Sequence, residues 1–348
     1  MHRFNSLARG LLTYILPLVL AVFAPSPIAA QTSPVEVARK TMREDVFPIR
    51  PTPFPPGIVA MPGIEFANLV GFRPMRLDLY AHADRQRARP AIVWIHGGGW
   101  NRGDARTSAS YANWPAVLAS LAARGYVVAS VDYRLTGEAR FPAQVQDVKA
   151  AVRFLRANAA RFGIDSEQII LWGGSAGGHL ASLAATSCGD AAFEPEPSTG
   201  RLDRAAMSAV QQKPGKQVSD CVSGLALWYG VFDLRGLTGS NVDQLLGCAS
   251  PTCAKKAFAA SPITHAGPGD PPTLIIHGLA DKTASPDAAK AFAAALRDAR
   301  VPVEELYLPG IEHGWEATAY RDQVAAHRTA LERTFHFFDG LTNPKRPR

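Results

Sequence analysis

The sequence predicts an α/β protein, a mostly parallel central sheet with helices on both faces, built as one large domain. From residue 64 onward, short apolar runs alternate with segments whose apolar residues recur at helical spacing. One run passes straight into Gly173-Gly174-Ser175-Ala176-Gly177 and then into a helix of small residues. No polar linker divides the 348 residues, 47% hydrophobic and 19% charged, into two patterned halves.

Residues 1–30 carry Arg3 and Arg9, an apolar run from Leu11 to Ala24, and the small-residue stretch Ile28-Ala29-Ala30 before Gln31. That three-part layout predicts a secretory signal peptide and a periplasmic or secreted protein. The apolar run contains Pro17 and is shorter than the roughly 20 residues a spanning helix needs, so no stable membrane span is expected after cleavage. Residues 31–69 form an arm rich in proline up to Pro62, for which an extended, irregular course is expected. The catalytic domain is expected over 70–340, with an insertion at 189–220 and a basic tail at 341–348.

Within the domain, Arg76 to Ala81 alternates as an outer strand. Ala91 to Ile95, Val127 to Val131 and Ile169 to Trp172 are short buried strands. Between them Phe141 to Phe162 sets Val145, Val148, Val152 and Leu155 on one helical face. Ala176 to Ala185 follows the serine as a helix. After the polar stretch from Gly189 to Asp220, strands resume at Val222 to Trp228, Pro272 to His277 and Val303 to Tyr307. Helices are expected at Ala288 to Leu296 and about Asp322 to Phe338.

The net charge of +7 drops to +5 without residues 1–30, and no basic stripe or aromatic-basic interleaving suggests a nucleic-acid partner. Cys188, Cys221, Cys248 and Cys253 all lie in the exported portion, which favours two disulfides. Of three possible pairings, Cys188–Cys221 with Cys248–Cys253 closes loops without spanning a central strand. No cysteine or histidine spacing matches a metal site.

A Gly-x-Ser-x-Gly turn between strand and helix strains the serine backbone and points its hydroxyl out over the sheet. Glycines two positions either side, Gly173 and Gly177, avoid collisions with neighbouring backbone. Taken alone the motif is also compatible with an ordinary glycine-rich turn. Its context decides otherwise, because the strand ending at Ile95 leads into His96-Gly97-Gly98-Gly99-Trp100. Acyl transfer needs backbone N–H groups aimed at an oxyanion, and Gly98, Gly99 and Ala176 are the candidates. His96 is read as structural.

A serine hydroxyl needs a base, and the base needs an orienting acid. His313, in Pro309-Gly310-Ile311-Glu312-His313-Gly314-Trp315 beyond the last strand, is the candidate base. Asp281, in His277-Gly278-Leu279-Ala280-Asp281, is the candidate acid, with Asp233 and Asp287 as rivals. Asp132 and Asp147 are read as ion-pair or capping residues. Trp100, Trp172, Trp228 and Trp315 fit an aromatic pocket wall and the core equally well.

HGGGW, VDYRL, RFGID, GGSAGGHLA, HGLAD and PGIEHGW follow one another in this order. Together they make the chain resemble the α/β-hydrolase carboxylesterases, the group allied to hormone-sensitive-lipase-like and bacterial feruloyl and acetyl carbohydrate esterases. The resemblance covers about residues 70 to 340. It implies the α/β-hydrolase fold, an acyl-enzyme on Ser175 formed with no metal or organic cofactor, and a small-molecule or carbohydrate-linked ester as substrate. A serine peptidase or amidase of the same fold, a polyester hydrolase and an inactive binding module remain as alternatives. The chain departs from the lipase-like pattern in having a proline-rich arm instead of a long helical N-terminal cap, so no large cap domain is expected, and in the insertion, so the substrate pockets are left unspecified.

Overall fold

The computed structural model describes residues 54–108, 111–198, 218–249 and 252–342. The expected signal peptide, most of the arm, the middle of the insertion and the end of the tail lie outside the described residues.

Eight strands form one sheet: β1 (Ile58–Ala67), β2 (Met75–His82), β3 (Arg89–Ile95), β4 (Val127–Val131), β5 (Ile164–Gly174), β6 (Gly224–Trp228), β7 (Thr273–Gly278) and β8 (Val303–Leu308). Their spatial order is β1-β2-β4-β3-β5-β6-β7-β8. β1 and β2 run antiparallel to their neighbours, and β4 through β8 are joined in parallel. This is the mostly parallel, helix-covered sheet that the motifs imply.

Strand periodicity divides the core into two layers. Ala91, Val93, Ile95, Ile169, Leu171, Leu225 and Leu227 face one side with α2 (Ala143–Ala157), α4 (Ala176–Thr186) and α7 (Pro286–Asp298). Ile92, Trp94, Ile170, Trp172, Ala226 and Trp228 face the other with α1 (Trp114–Ala123) and α8 (Tyr320–Thr342). Residues pointing both ways are buried, which is why these strands read as unbroken apolar runs rather than as alternation.

Two expectations need correction. The irregular course expected of the whole arm fails beyond Ile58, because β1 pairs with β2 from Ile58↔His82 to Ala67↔Met75. Its register shifts between Met61 and Ile64, where Pro62 and Gly63 sit, and an edge strand tolerates a proline there because it needs no ladder donor on its outer side. The single helix expected from Phe141 to Phe162 breaks after Ala157, and α3 (Ala159–Phe162) follows separately. Asn158 turns its Nδ2 back to the Phe154 carbonyl at 2.8 Å, competing with the helical ladder.

The described ends of the insertion are tied to α2 by charge. Arg134 sits between Asp147 (2.9 Å) and Glu196 (2.8 Å), Lys149 pairs with Asp220 at 3.0 Å, and Arg153 pairs with Glu194. The structure links Cys188 to Cys221 (Cα–Cα 4.9 Å) and Cys248 to Cys253 (5.6 Å). Within the described residues, no helix is long and apolar enough to cross a membrane.

Candidate active site

The parallel strands set their carboxyl ends along one edge, with Ile95 beside Gly173 and Gly174 beside Trp228. Ligands of such sheets bind at that edge. Ser175 follows β5 there with φ 56° and ψ −124°. Its amide donates to Trp228 O (2.9 Å) and its carbonyl accepts from the His179 amide (3.0 Å), so strand β6 and helix α4 both hold the turn. A Cβ at Gly173 would run into the Gly177 carbonyl, and one at Gly177 into that of Ile95. The two glycines are therefore required by contact as well as by pattern.

Ser175 Oγ lies 2.8 Å from His313 Nε2, and His313 Nδ1 lies 2.7 Å from Asp281 Oδ2. The Asp281 side chain is fully buried, and its other oxygen, Oδ1, accepts from the amides of Thr283 (2.8 Å) and Ala284 (2.9 Å). His277 Nε2 approaches Oδ2 to 3.0 Å and Ala284 O to 3.0 Å. Two acceptors around Nε2 require the proton to be there, so His277 donates. Burial alone would raise the Asp281 pKa. The hydrogen bonds from His277 and His313, the His313 charge and the Ala284 amide overcome it and hold the carboxyl well below the usual carboxylate range.

Such a relay can withdraw the Ser175 proton and stabilise the imidazolium that results. Gly98 and Gly99 line the cavity beside Ser175, and Ala176 lies at the start of α4, so all three candidate donors are drawn to the serine. Strain gathers around it. Among the described residues, five non-glycines have positive φ, and Trp100, Ser175, Tyr229 and Trp315 make up four of them.

The rival acids are elsewhere engaged. Asp233 pairs with Arg235 at 2.7 Å and Asp287 with Lys290 at 2.9 Å in the first turn of α7. His96 stacks on Tyr133 with centroids 4.3 Å apart, and burial lowers its pKa to about 4. Asp147 binds Arg134, and Asp132 accepts from the Ala105 amide at 2.8 Å. Trp172, Trp228 and Trp315 belong to the core, in edge contacts with centroids 4.8 and 5.5 Å apart, and Trp100 is a core residue that also lines a cavity next to Ser175.

The sequence model of the BD-FAE family matches residues 77–296, a span that contains the glycine loop after β3, the serine turn and Asp281. The chain belongs to the BD-FAE family. It is 31% identical to Esterase LipC of Mycobacterium tuberculosis over 73% of its own length and 60% of that protein. It is 30% identical to Carboxylesterase NlhH of the same organism over 71% of this chain and 74% of that one. Against the thermophilic esterase Est2 of Thermogutta terrifontis the identity is 27% and the TM-score 0.62, covering 84% of this chain and 96% of that structure. The chain spans only 54% to 60% of the length of LipC and two further mycobacterial esterases, LipQ and LipM.

Sequence reasoning about this BD-FAE chain passed over several side chains at the site. His277 was read only as a residue ahead of a glycine at a strand end, although a histidine four residues before a candidate acid is itself a signal. Arg102, Ser108 and Glu316 come from segments without periodicity and Asn241 from the short helix Ser240–Leu246, and only the fold gathers them around Ser175.

Proposed function

We propose that the protein is a serine esterase that cleaves small carboxylic esters through an acyl-enzyme on Ser175. His313 is the general base and then the general acid, Asp281 orients it, and the amides of Gly98, Gly99 and Ala176 receive the oxyanion. Ser175 Oγ attacks the ester carbonyl while its proton passes to His313 Nε2. The tetrahedral intermediate collapses, the alkoxide leaves with that proton, and water repeats the sequence to release the acid. The observation that carries this reading is the continuous hydrogen-bonded line Ser175–His313–Asp281 at a strained strand-to-helix turn.

The relatives support it. LipC and NlhH are named as esterases, and the Thermogutta esterase 2 has been solved phosphorylated by paraoxon, the reaction of an activated nucleophile. Carbohydrate-linked esters of the acetyl or feruloyl type are the finer substrate reading. Residues 1–30 are read as an export signal with 70–340 as the catalytic domain, and two disulfides are compatible with an oxidising compartment.

The test is hydrolysis of p-nitrophenyl esters from acetate to palmitate, with methyl ferulate, acetylated xylan and a matched anilide alongside. Turnover of esters that falls by roughly a millionfold in Ser175→Ala supports the reading. Turnover of the anilide alone, or ester turnover that survives the substitution, would overturn it.

A further inference from the structure

Two cavities meet at Ser175. The larger, of about 620 Å³, is lined by His313 together with Arg102, Thr107, Ser108 and Glu316. The smaller, of about 240 Å³, is lined by Ala176 and by Trp100, Val231, Leu237 and Val242. Gly99, Ser175, Asn241 and Thr283 line both and so form the septum between them. Their linings differ in chemistry as well as in size.

We propose that the smaller cavity takes the acyl chain and the larger takes the alcohol, so that the preferred substrate is a short aliphatic ester of a hydroxyl-bearing alcohol. This rests on the ester-hydrolysis reading above. When the tetrahedral intermediate breaks, the bond from carbonyl carbon to alcohol oxygen is cleaved, its electron pair stays on that oxygen, and the proton on His313 Nε2 moves to it. The leaving oxygen must therefore sit within hydrogen-bonding reach of His313. Of the two cavities, the larger contains that residue and the smaller does not. The acyl group stays bonded to Ser175 Oγ and extends the other way, past Ala176. Water then enters through the vacated alcohol cavity and gives a proton to His313 Nε2 as its oxygen bonds to the acyl carbon; the bond from that carbon to Ser175 Oγ breaks, the proton on His313 returns to Oγ, and the acid leaves.

The side chains fit this division. Leu237 is 37% exposed, an aliphatic surface left at the rim of the small cavity that an acyl chain would cover. In the larger cavity, Ser108 is only 4% exposed and its Oγ has no hydrogen-bond partner. A buried hydroxyl without a partner is costly unless something else satisfies it. Arg102 adds donors and Glu316 acceptors on the same lining, and that mixture suits hydroxyl groups better than a plain alkyl alcohol or an anion alone.

The experiment compares kcat/KM for propyl acetate, propyl butanoate, glycerol monoacetate and glycerol monobutanoate in wild type, Leu237→Phe, Val231→Phe and Ser108→Ala. Filling the small cavity with either phenylalanine is expected to lower the butanoate-to-acetate ratio about tenfold for both alcohols. Ser108→Ala is expected to lower the glycerol-to-propyl ratio about tenfold for both acyl groups. Leu237 lies at the rim, so its variant serves if Val231→Phe does not fold. Exchanged effects, with phenylalanine changing alcohol preference or Ser108→Ala changing acyl preference, overturn the assignment, and so does indifference of both ratios in a wild type that hydrolyses these esters. A folded wild type that hydrolyses none of them overturns the esterase reading itself.

Discussion

His277 and His313 meet at one atom: Nε2 of the former lies 3.0 Å, and Nδ1 of the latter 2.7 Å, from Asp281 Oδ2. His277 is wholly buried and its Nδ1 has no partner, so a second proton on the ring would be a buried donor without an acceptor. It therefore acts as a fixed hydrogen-bond donor to the Asp281 carboxylate.

Replacing that donor tests its role. In His277→Leu, Asp281 Oδ2 loses one of the two side-chain hydrogen bonds that hold it in line with His313. With esters, kcat/KM is expected to fall about tenfold, as for loss of one hydrogen bond to a charged group. Asp281 is held below the usual carboxylate range by the hydrogen bonds it accepts, so removing one of them weakens the charge that faces His313. An unchanged kcat/KM in a folded variant would mean that His277 only fills space.

The serine turn predicts its own intolerance. Gly177→Ala puts a methyl group against the Ile95 carbonyl at the end of β3, where the backbone must shift. A destabilisation of about 1–3 kcal/mol is expected in urea unfolding, together with loss of esterase activity larger than the stability change explains. Wild-type stability and turnover in this variant would contradict the packing account.

The paired charges beneath the insertion make a separate claim. Lys149 and Asp220 are both buried at 3.0 Å, so Lys149→Met leaves a carboxylate without its main partner. About 3–5 kcal/mol of stability should be lost, with part of it regained when Asp220→Leu is added. The double variant restores balance because a buried pair stabilises mainly by avoiding an unpaired charge.

His179 couples stability to pH. Its Nδ1 accepts from the Trp100 indole at 3.1 Å while its Nε2 donates to the Ala260 carbonyl at 2.7 Å, and burial lowers its pKa to about 4. His96 is lowered to about 4 by the same cause. An unfolded histidine titrates near 6.5, so between about pH 6.5 and 4 the unfolded chain binds more protons. Stability is therefore expected to fall on acidification through that window, by about 1.4 kcal/mol per pH unit for each histidine. Urea midpoints measured across the window should fall less steeply in His179→Gln, and an unchanged slope would count against a neutral buried His179.

Local chemistry made part of this legible in the sequence. The serine turn dictates glycines at fixed offsets, and the order serine, acid, histidine follows from strand order, so Ser175, Asp281 and His313 were singled out before the fold brought them within hydrogen-bonding distance. The central strands were legible because burial on both faces leaves plain apolar runs. β1 was hidden because Pro62 and Gly63 interrupt a strand whose edge position tolerates them. α1 was hidden because it is apolar nearly all round, with Trp114, Leu118, Leu121 and Ala122 buried and no polar face to mark its period. The cavity linings were illegible because Ser108, Leu237 and Glu316 become neighbours of Ser175 only through the topology of the sheet.

The central claim is that Ser175 is the nucleophile, and its most direct test is the mass of the protein and its peptides after reaction with paraoxon. One diethylphosphoryl group per chain, located on Ser175 and rising in step with the loss of ester hydrolysis, is the predicted result. An adduct on another residue, or no adduct while the protein continues to hydrolyse esters, would contradict it.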